Sequence, residues 1–295
     1  MRVRLRDAVF EPARGSPLLM GIVNATPDSF SEPPGEKAFA WLATRAHAMV
    51  QHGAAIIDVG GESGRTDRAA VSAREESARV APLIERLAGD GLTVSVDTWR
   101  AEPARAALAA GAAMVNDASG LTEPRVAERC AEAGAALVIT HNRAAPKQKH
   151  FPDYGGDVLA DVLEFLTARA AAAQALGVAA DQLMLDPGLD LAKTPAQSVE
   201  VLSRLGELEA LGHPLLLAIS RKDFLGALSG RSPAERDAAT LAAVEPALDC
   251  AAAVLRVHDV RAASDFVRVR AALRGDSRGA LPDALAEPLR REVAL

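Results

Sequence analysis

Eight short segments of this 295-residue chain end in groups that can bond or ionise. They are Asn24, Asp58 through Ser63, Asp97, Asn116-Asp117, His141-Asn142, Asp186, Ser220-Arg221-Lys222, and Arg256 through Asp259. Any one of them reads well as a helix cap or a solvated strand end, Asp117 and Asp259 most of all. Eight in corresponding places are better explained by a polar, charged ligand. Two chemistries are present. Asp58, Asp97 and Asp186 follow apolar runs, where an unpaired charge is costly, so each needs donors. A heterocycle edge with adjacent N–H groups, such as the aminopyrimidinone edge of a pterin or guanine, supplies them in pairs. Against these stand Arg65, Arg221, Lys222, Arg256 and His258, a cationic group suited to phosphate or pyrophosphate. Only five of the 33 cationic residues are lysine, so Lys222 beside Arg221 marks a place for a point charge rather than a planar fork.

These residues need a scaffold that brings eight segment ends together. Each lies at the end of a short run rich in Ile, Val and Leu: 18–24, 54–60, 92–97, 112–117, 136–141, 183–186, 215–220 and 253–259. Longer stretches with amphipathic spacing follow, for example 73–88 and 158–176. Continuous rather than alternating apolar runs suit strands buried on both faces of a parallel sheet covered by helices. Eight β-then-α units in under 300 residues fit an α/β fold of the (β/α)8 TIM-barrel type, in which chemistry sits on the loops after the strands. The expected layout is a lead-in over 1–17, one barrel domain over 18–275, and a polar tail over 276–295.

Composition narrows the classes. The chain is 49% apolar with a net charge of −6 and no basic block, which argues against nucleic acid as a main partner. The apolar runs fall short of the ~18–20 residues of a membrane span, and the charged start carries no apolar leader segment. A cytoplasmic protein is expected. Cys130 and Cys250 are too few for a disulfide framework or a four-thiolate zinc site, and both read as buried thiols. His141 has no companion histidine at metal-ligand spacing, which disfavours zinc hydrolase chemistry.

In order along the chain, MGIVNATPDSF (20–30), IIDVGGES (56–63), VSVDT (94–98), VND (115–117), LDPG (185–188), SRK (220–222) and RVHDV (256–260) resemble the dihydropteroate synthase family. The resemblance runs from about residue 18 to 272. It implies a TIM barrel, usually a homodimer. The implied reaction joins 6-hydroxymethyl-7,8-dihydropterin pyrophosphate to the arylamine p-aminobenzoate with Mg2+ and releases pyrophosphate, a step of folate biosynthesis. By match of motif, Asp186 would hold the pterin's amino and ring N–H groups, with Asn116 and Asp97 on the same ring. Lys222 would meet the ring's oxygen and nitrogen side. Arg256 would lie over the ring and reach the pyrophosphate, which His258 and Asn24 also contact, Asn24 beside the Mg2+. Arg65, on the family's mobile second loop, would help close the site. Lys222, Arg256 and Asp97 are the expected catalytic residues.

Departures from the family pattern gather on the acceptor side. The second loop reads Ser63-Gly64-Arg65-Thr66 instead of Ser-Thr-Arg-Pro, and DPGLDLAKT replaces DPGIGFGKT, placing Asp190 and Leu191 where Gly and Phe are usual. Asp223 replaces the common Ser after SRK, and Thr140 replaces the Met before His141. Asp223 would repel a benzoate carboxylate, or else cap the helix that follows it. Two alternatives stay open. One is a diverged paralogue that binds the pterin pyrophosphate with another acceptor or without turnover. The other is a pterin-dependent methyltransferase, which has no use for the pyrophosphate ligands.

Overall fold

A computed structural model describes residues 1–26, 36–64 and 68–275. The expected tail 276–295, Arg65 and most of the first loop lie outside the described residues. A hairpin of β1 (Val3–Leu5) and β2 (Ala8–Phe10) precedes the barrel strands: β3 (Leu18–Asn24), β4 (Ala54–Gly60), β5 (Val94–Asp97), β6 (Met114–Asp117), β7 (Ala136–Thr140), β8 (Leu183–Asp186), β9 (Leu215–Ala218) and β10 (Ala253–Val257). All pairs from β3 to β10 are parallel, and β10 closes back onto β3. The eight expected strands are the eight observed, with differences of one or two residues at several ends.

Helices cover the outside: α1 (Glu36–Gln51), α2 (Ala73–Gly89), α3 (Ala101–Ala109), α4 (Arg125–Ala133), α5 (Val158–Ala175), α6 (Pro195–Ser203), α7 (Asp223–Ser229), α8 (Asp237–Val244) and α9 (Val260–Arg274). The local logic is plain in α2. Ser72 caps it by accepting from Glu75 N at 3.1 Å, and Val80, Leu83, Ile84 and Leu87 fall on one buried face. Each such side chain stabilises the fold by about 2 kcal/mol relative to exposure. None of the described helices is long and apolar enough to cross a membrane.

The barrel interior has two layers, because side chains alternate along a strand with period two. The lower layer is apolar: Met20, Ile56, Met114, Val138, Met184, Leu216 and Val254 form one cluster, closed from below by Val3 and Leu5 of the hairpin. Two residues further along the same strands stand Asp58, Asn116, Asp186 and Arg256. Residues 1–17 are more than the lead-in expected from sequence. Their alternating Val3 and Leu5 instead plug the barrel, and Arg6 ties the hairpin down by donating to the Leu108 and Ala112 carbonyls.

Candidate functional site

The polar layer follows from strand register. Asn24, Gly60, Asp97 and Asn116 form one row across four neighbouring strands. From β10, Arg256 reaches across it. Its Nε donates to Asp58 Oδ2 at 2.6 Å and its Nη2 to Asp97 Oδ2 at 2.7 Å. Asn116 Nδ2 adds a bond to the same Asp58 oxygen at 3.2 Å. Protein groups thus satisfy Oδ2 of fully buried Asp58, where the sequence suggested ligand N–H groups, while its Oδ1 has no hydrogen-bond partner among the described residues. That carboxylate orients both Arg256 and Asn116. Burial pushes the Asp97 carboxyl up to about 7, with Arg256 pulling the other way. Burial also works against the Arg256 charge, but the Asp58 and Asp97 carboxylates outweigh it and keep the guanidinium ionised.

Asp186 ends β8 almost fully buried, and its Oδ1 accepts from Gly188 N at 2.7 Å. Burial raises its pKa, opposed by that bond and by Lys222, Lys193 and Arg256. The turn that follows is unusual: φ is positive at Gly188, Asp190 and Ala192. Only glycine fits at 188, where an added Cβ would overlap the His141 carbonyl oxygen. Asp190 and Ala192 stand where the family pattern has glycine, and a left-handed conformation costs such residues roughly 1–2 kcal/mol each. Their surroundings hold them there. Lys222 Nζ donates to Leu189 O at 3.0 Å. Lys193 Nζ donates to Gly188 O at 3.0 Å and Leu191 O at 3.2 Å.

The Asp190 carboxylate accepts from the backbone N–H groups of Asp223 and Phe224, the latter at 3.2 Å. Asp190, not Asp223, thus caps α7. Asp223 is 87% exposed and pairs with Arg236 at 3.0 Å. Arg221, counted above among the phosphate cations, is committed to Asp237 through a fork of 2.9 and 3.1 Å.

His258 is also corrected. Its Nδ1 meets Ser220 Oγ at 2.9 Å, and burial, helped by Arg221, Arg256 and Arg45, lowers its pKa to about 3. Its imidazole is neutral in this structure, not the cation expected from sequence. Asn24 is exposed at the end of β3, with its Oδ1 beside Gly60. No group of three or more His, Cys, Asp or Glu among the described residues could hold a metal ion. A hard cation that keeps water and substrate oxygens needs only one or two protein oxygens, which suits the Asn24 amide. Asp117 and Asp259 are structural: Asp117 accepts from Ser119 N and Oγ, and Asp259 caps α9 through Ala262 N. Both cysteines are buried thiols.

Sequence reasoning missed two ionic groups. Lys193 is 2% exposed and touches the His141 imidazole at 2.6 Å, while His141 Nε2 meets Asp161 at 2.7 Å. Under the second loop, buried Glu62 and Glu76 share Arg100, and Lys147 lies 3.3 Å from Glu62. A lysine closely following Asp186 and Asp190 was the available signal for the first. The second joins residues far apart in sequence and left none.

Comparison with known proteins agrees with this geometry. The family model described as pterin binding enzyme matches residues 20–258. The dihydropteroate synthase of Synechocystis sp. is 41% identical over 259 residues, covering 86% of this chain and 89% of that protein. That of Escherichia coli is 37% identical over 255 residues, covering 86% and 90%. The structure of Xanthomonas albilineans dihydropteroate synthase with 4-aminobenzoic acid superposes with a TM-score of 0.85 at 37% identity, over 95% of this chain and 99% of that one. The same enzyme in complex with 7,8-dihydropteroate gives 0.83 at 37%, over 96% and 100%. The chain belongs to the dihydropteroate synthase family of pterin-binding enzymes.

Proposed function

We propose that this family member is the transferase that joins p-aminobenzoate to 6-hydroxymethyl-7,8-dihydropterin pyrophosphate and releases pyrophosphate. One observation carries the reading: Asp97, Asn116, Asp186 and Arg256 converge in a single polar layer at the barrel mouth, directly above an apolar plug. A flat heterocycle with N–H groups on one edge matches the carboxylates of that layer, and the cation beside them matches its anionic substituent.

The reaction breaks the bond between the pterin methylene carbon and the pyrophosphate oxygen, which leaves with the electron pair. The arylamine nitrogen forms the new bond to that carbon and gives up a proton to solvent. Positive charge builds on the pterin as the bond breaks, and the fixed Asp97 and Asp186 carboxylates favour it. Arg256 stays anchored to Asp58 while its guanidinium meets the leaving group. The His258 imidazole and the Asn24 amide face the same oxygens, and Lys222 meets the ring's oxygen and nitrogen side. Arg65 belongs to this set by motif. Mg2+, when held by Asn24 and pyrophosphate oxygens, supplies charge neutralisation for the leaving group. No covalent bond to the protein is required.

The reading extends to a cytoplasmic homodimer. Exposed Val199 on α6 and Leu228 on the adjoining α7 support a contact surface there, and sedimentation velocity tests it. Pyrophosphate release measured with and without p-aminobenzoate tests the function. Release that needs p-aminobenzoate supports the synthase; binding of the pterin pyrophosphate with no effect of p-aminobenzoate favours the paralogue with another acceptor.

A further inference from the structure

Lys193 is the most deeply buried cation of the barrel mouth, and the reaction above gives it no task. Its ammonium has three partners: Gly188 O at 3.0 Å, Leu191 O at 3.2 Å and His141 Nδ1 at 2.6 Å. No carboxylate among the described residues pairs with it. An ionised carboxylate such as Asp161 can only accept, so His141 carries its proton on Nε2 and its Nδ1 accepts from Lys193 Nζ. That fixes the imidazole tautomer, with Nε2–H donating to Asp161 Oδ2 at 2.7 Å. Asp161 is held in turn by the fork of Arg143 at 2.9 and 2.7 Å. A chain of four side chains thus runs from Arg143 in the loop after β7, through Asp161 of α5 and His141, to Lys193 beside the turn that follows Asp186.

The two carbonyls Lys193 gathers bracket Leu189 and Asp190, and they lie among the left-handed residues 188, 190 and 192. Two of those three are not glycine. Left to itself, this stretch would relax to ordinary conformations, since strained backbone persists only where its surroundings over-determine it. Relaxation would move three functional contacts together. Leu189 O is the acceptor that seats Lys222. The Asp190 carboxylate anchors the start of α7. Gly188 N holds the Asp186 carboxylate.

We propose that Lys193 is a positioning residue: seated on His141, it holds the 188–192 turn in its left-handed form and thereby sets where Asp186 and Lys222 meet the pterin. This rests on the proposed function in so far as Asp186 and Lys222 are taken to contact that substrate.

The test compares the intact protein with Lys193→Met, Ala192→Gly and the double variant. It follows steady-state kinetics with dihydropterin pyrophosphate and hydrogen exchange of the peptide spanning 186–194. Lys193→Met raises KM for the pterin substrate about tenfold or more, with exchange rising in 186–194 and not across the barrel. Ala192→Gly removes the conformational bias at one left-handed position, so the double variant recovers part of the loss. A purely structural lysine would lower thermal stability without that recovery. A KM within threefold of wild type, or loosening spread over the whole barrel with no recovery, overturns the proposal. Should Lys193→Met fail to fold, Lys193→Gln keeps one donor and is measured the same way, with the same expected direction. Lys222→Ala serves as the control on the premise. If the wild type itself does not bind the pterin substrate, the proposed function fails, while exchange in 186–194 still decides whether Lys193 holds the turn.

Discussion

Replacing Asp186 by Asn separates recognition from folding, because the structure dictates how the amide must sit. Gly188 N already donates to Oδ1 at 2.7 Å. An asparagine therefore turns its carbonyl oxygen to that N–H and leaves its NH2 where Oδ2 stood. An acceptor facing the site becomes a donor. The loss is one charge-assisted bond to the ring, worth about 1.5–3 kcal/mol, plus the opposition of two donor groups. About 3 kcal/mol in all corresponds to a loss of affinity on the order of a hundredfold. Stability moves differently. Burial raises the Asp186 pKa, so the folded state holds its proton more tightly than the unfolded chain does, and this contribution is lost as pH rises through the folded value. At pH 7.5 the ionised carboxylate costs the folded state, and the amide removes that cost. Calorimetric titration with the dihydropterin pyrophosphate, beside a thermal melt, reads both quantities. A hundredfold weaker Kd with an unchanged or higher Tm is expected. Binding within threefold of wild type would refute the assignment of Asp186, and a large fall in Tm would refute the rotamer argument.

Three further outcomes follow from the same contacts. Arg256→Lys keeps the charge but cannot bond Asp58 and Asp97 at once, so kcat/KM measured by pyrophosphate release falls about a hundredfold. Lys193 has its pKa lowered from the ordinary 10.5 to about 7 by burial. The folded state then holds fewer protons than the unfolded chain above about pH 7, and stability rises with pH there. Between about pH 7 and 8, below the ordinary thiol pKa of ~8.5, urea titrations should show a gain of about 1 kcal/mol that Lys193→Met lacks. Leu5→Ala in the barrel plug, where the side chain is 1% exposed, costs about 2–5 kcal/mol in urea unfolding and leaves KM unchanged.

Much of the scaffold was legible in the sequence because parallel barrel strands are buried on both faces and carry long Ile, Val and Leu runs. The same property hid the alternation that decides which side chains face inward, so Asp58 looked like a ligand group when it is the internal partner of Arg256. The hairpin was missed because six short strand residues between charges resemble a solvated lead-in. Its partner surface is the underside of the barrel, which exists only once the eight strands have closed. Charge states were the least legible part. His258 sits in a motif rich in cations, yet those neighbours and burial keep it neutral. Asp223 looked like a repulsive group or a cap, but in space Arg236 pairs with its charge and Asp190 does the capping. The Lys193–His141–Asp161 chain joins three elements, and no local pattern announces it.

Forming the product itself decides whether the barrel mouth is a synthase site. Purified protein is incubated with dihydropterin pyrophosphate, p-aminobenzoate and Mg2+, and 7,8-dihydropteroate is followed by mass spectrometry, with Lys222→Ala alongside. Dihydropteroate is expected to appear in step with pyrophosphate and to be lost in Lys222→Ala. Pyrophosphate released without dihydropteroate, or product formed equally well by Lys222→Ala, would contradict it.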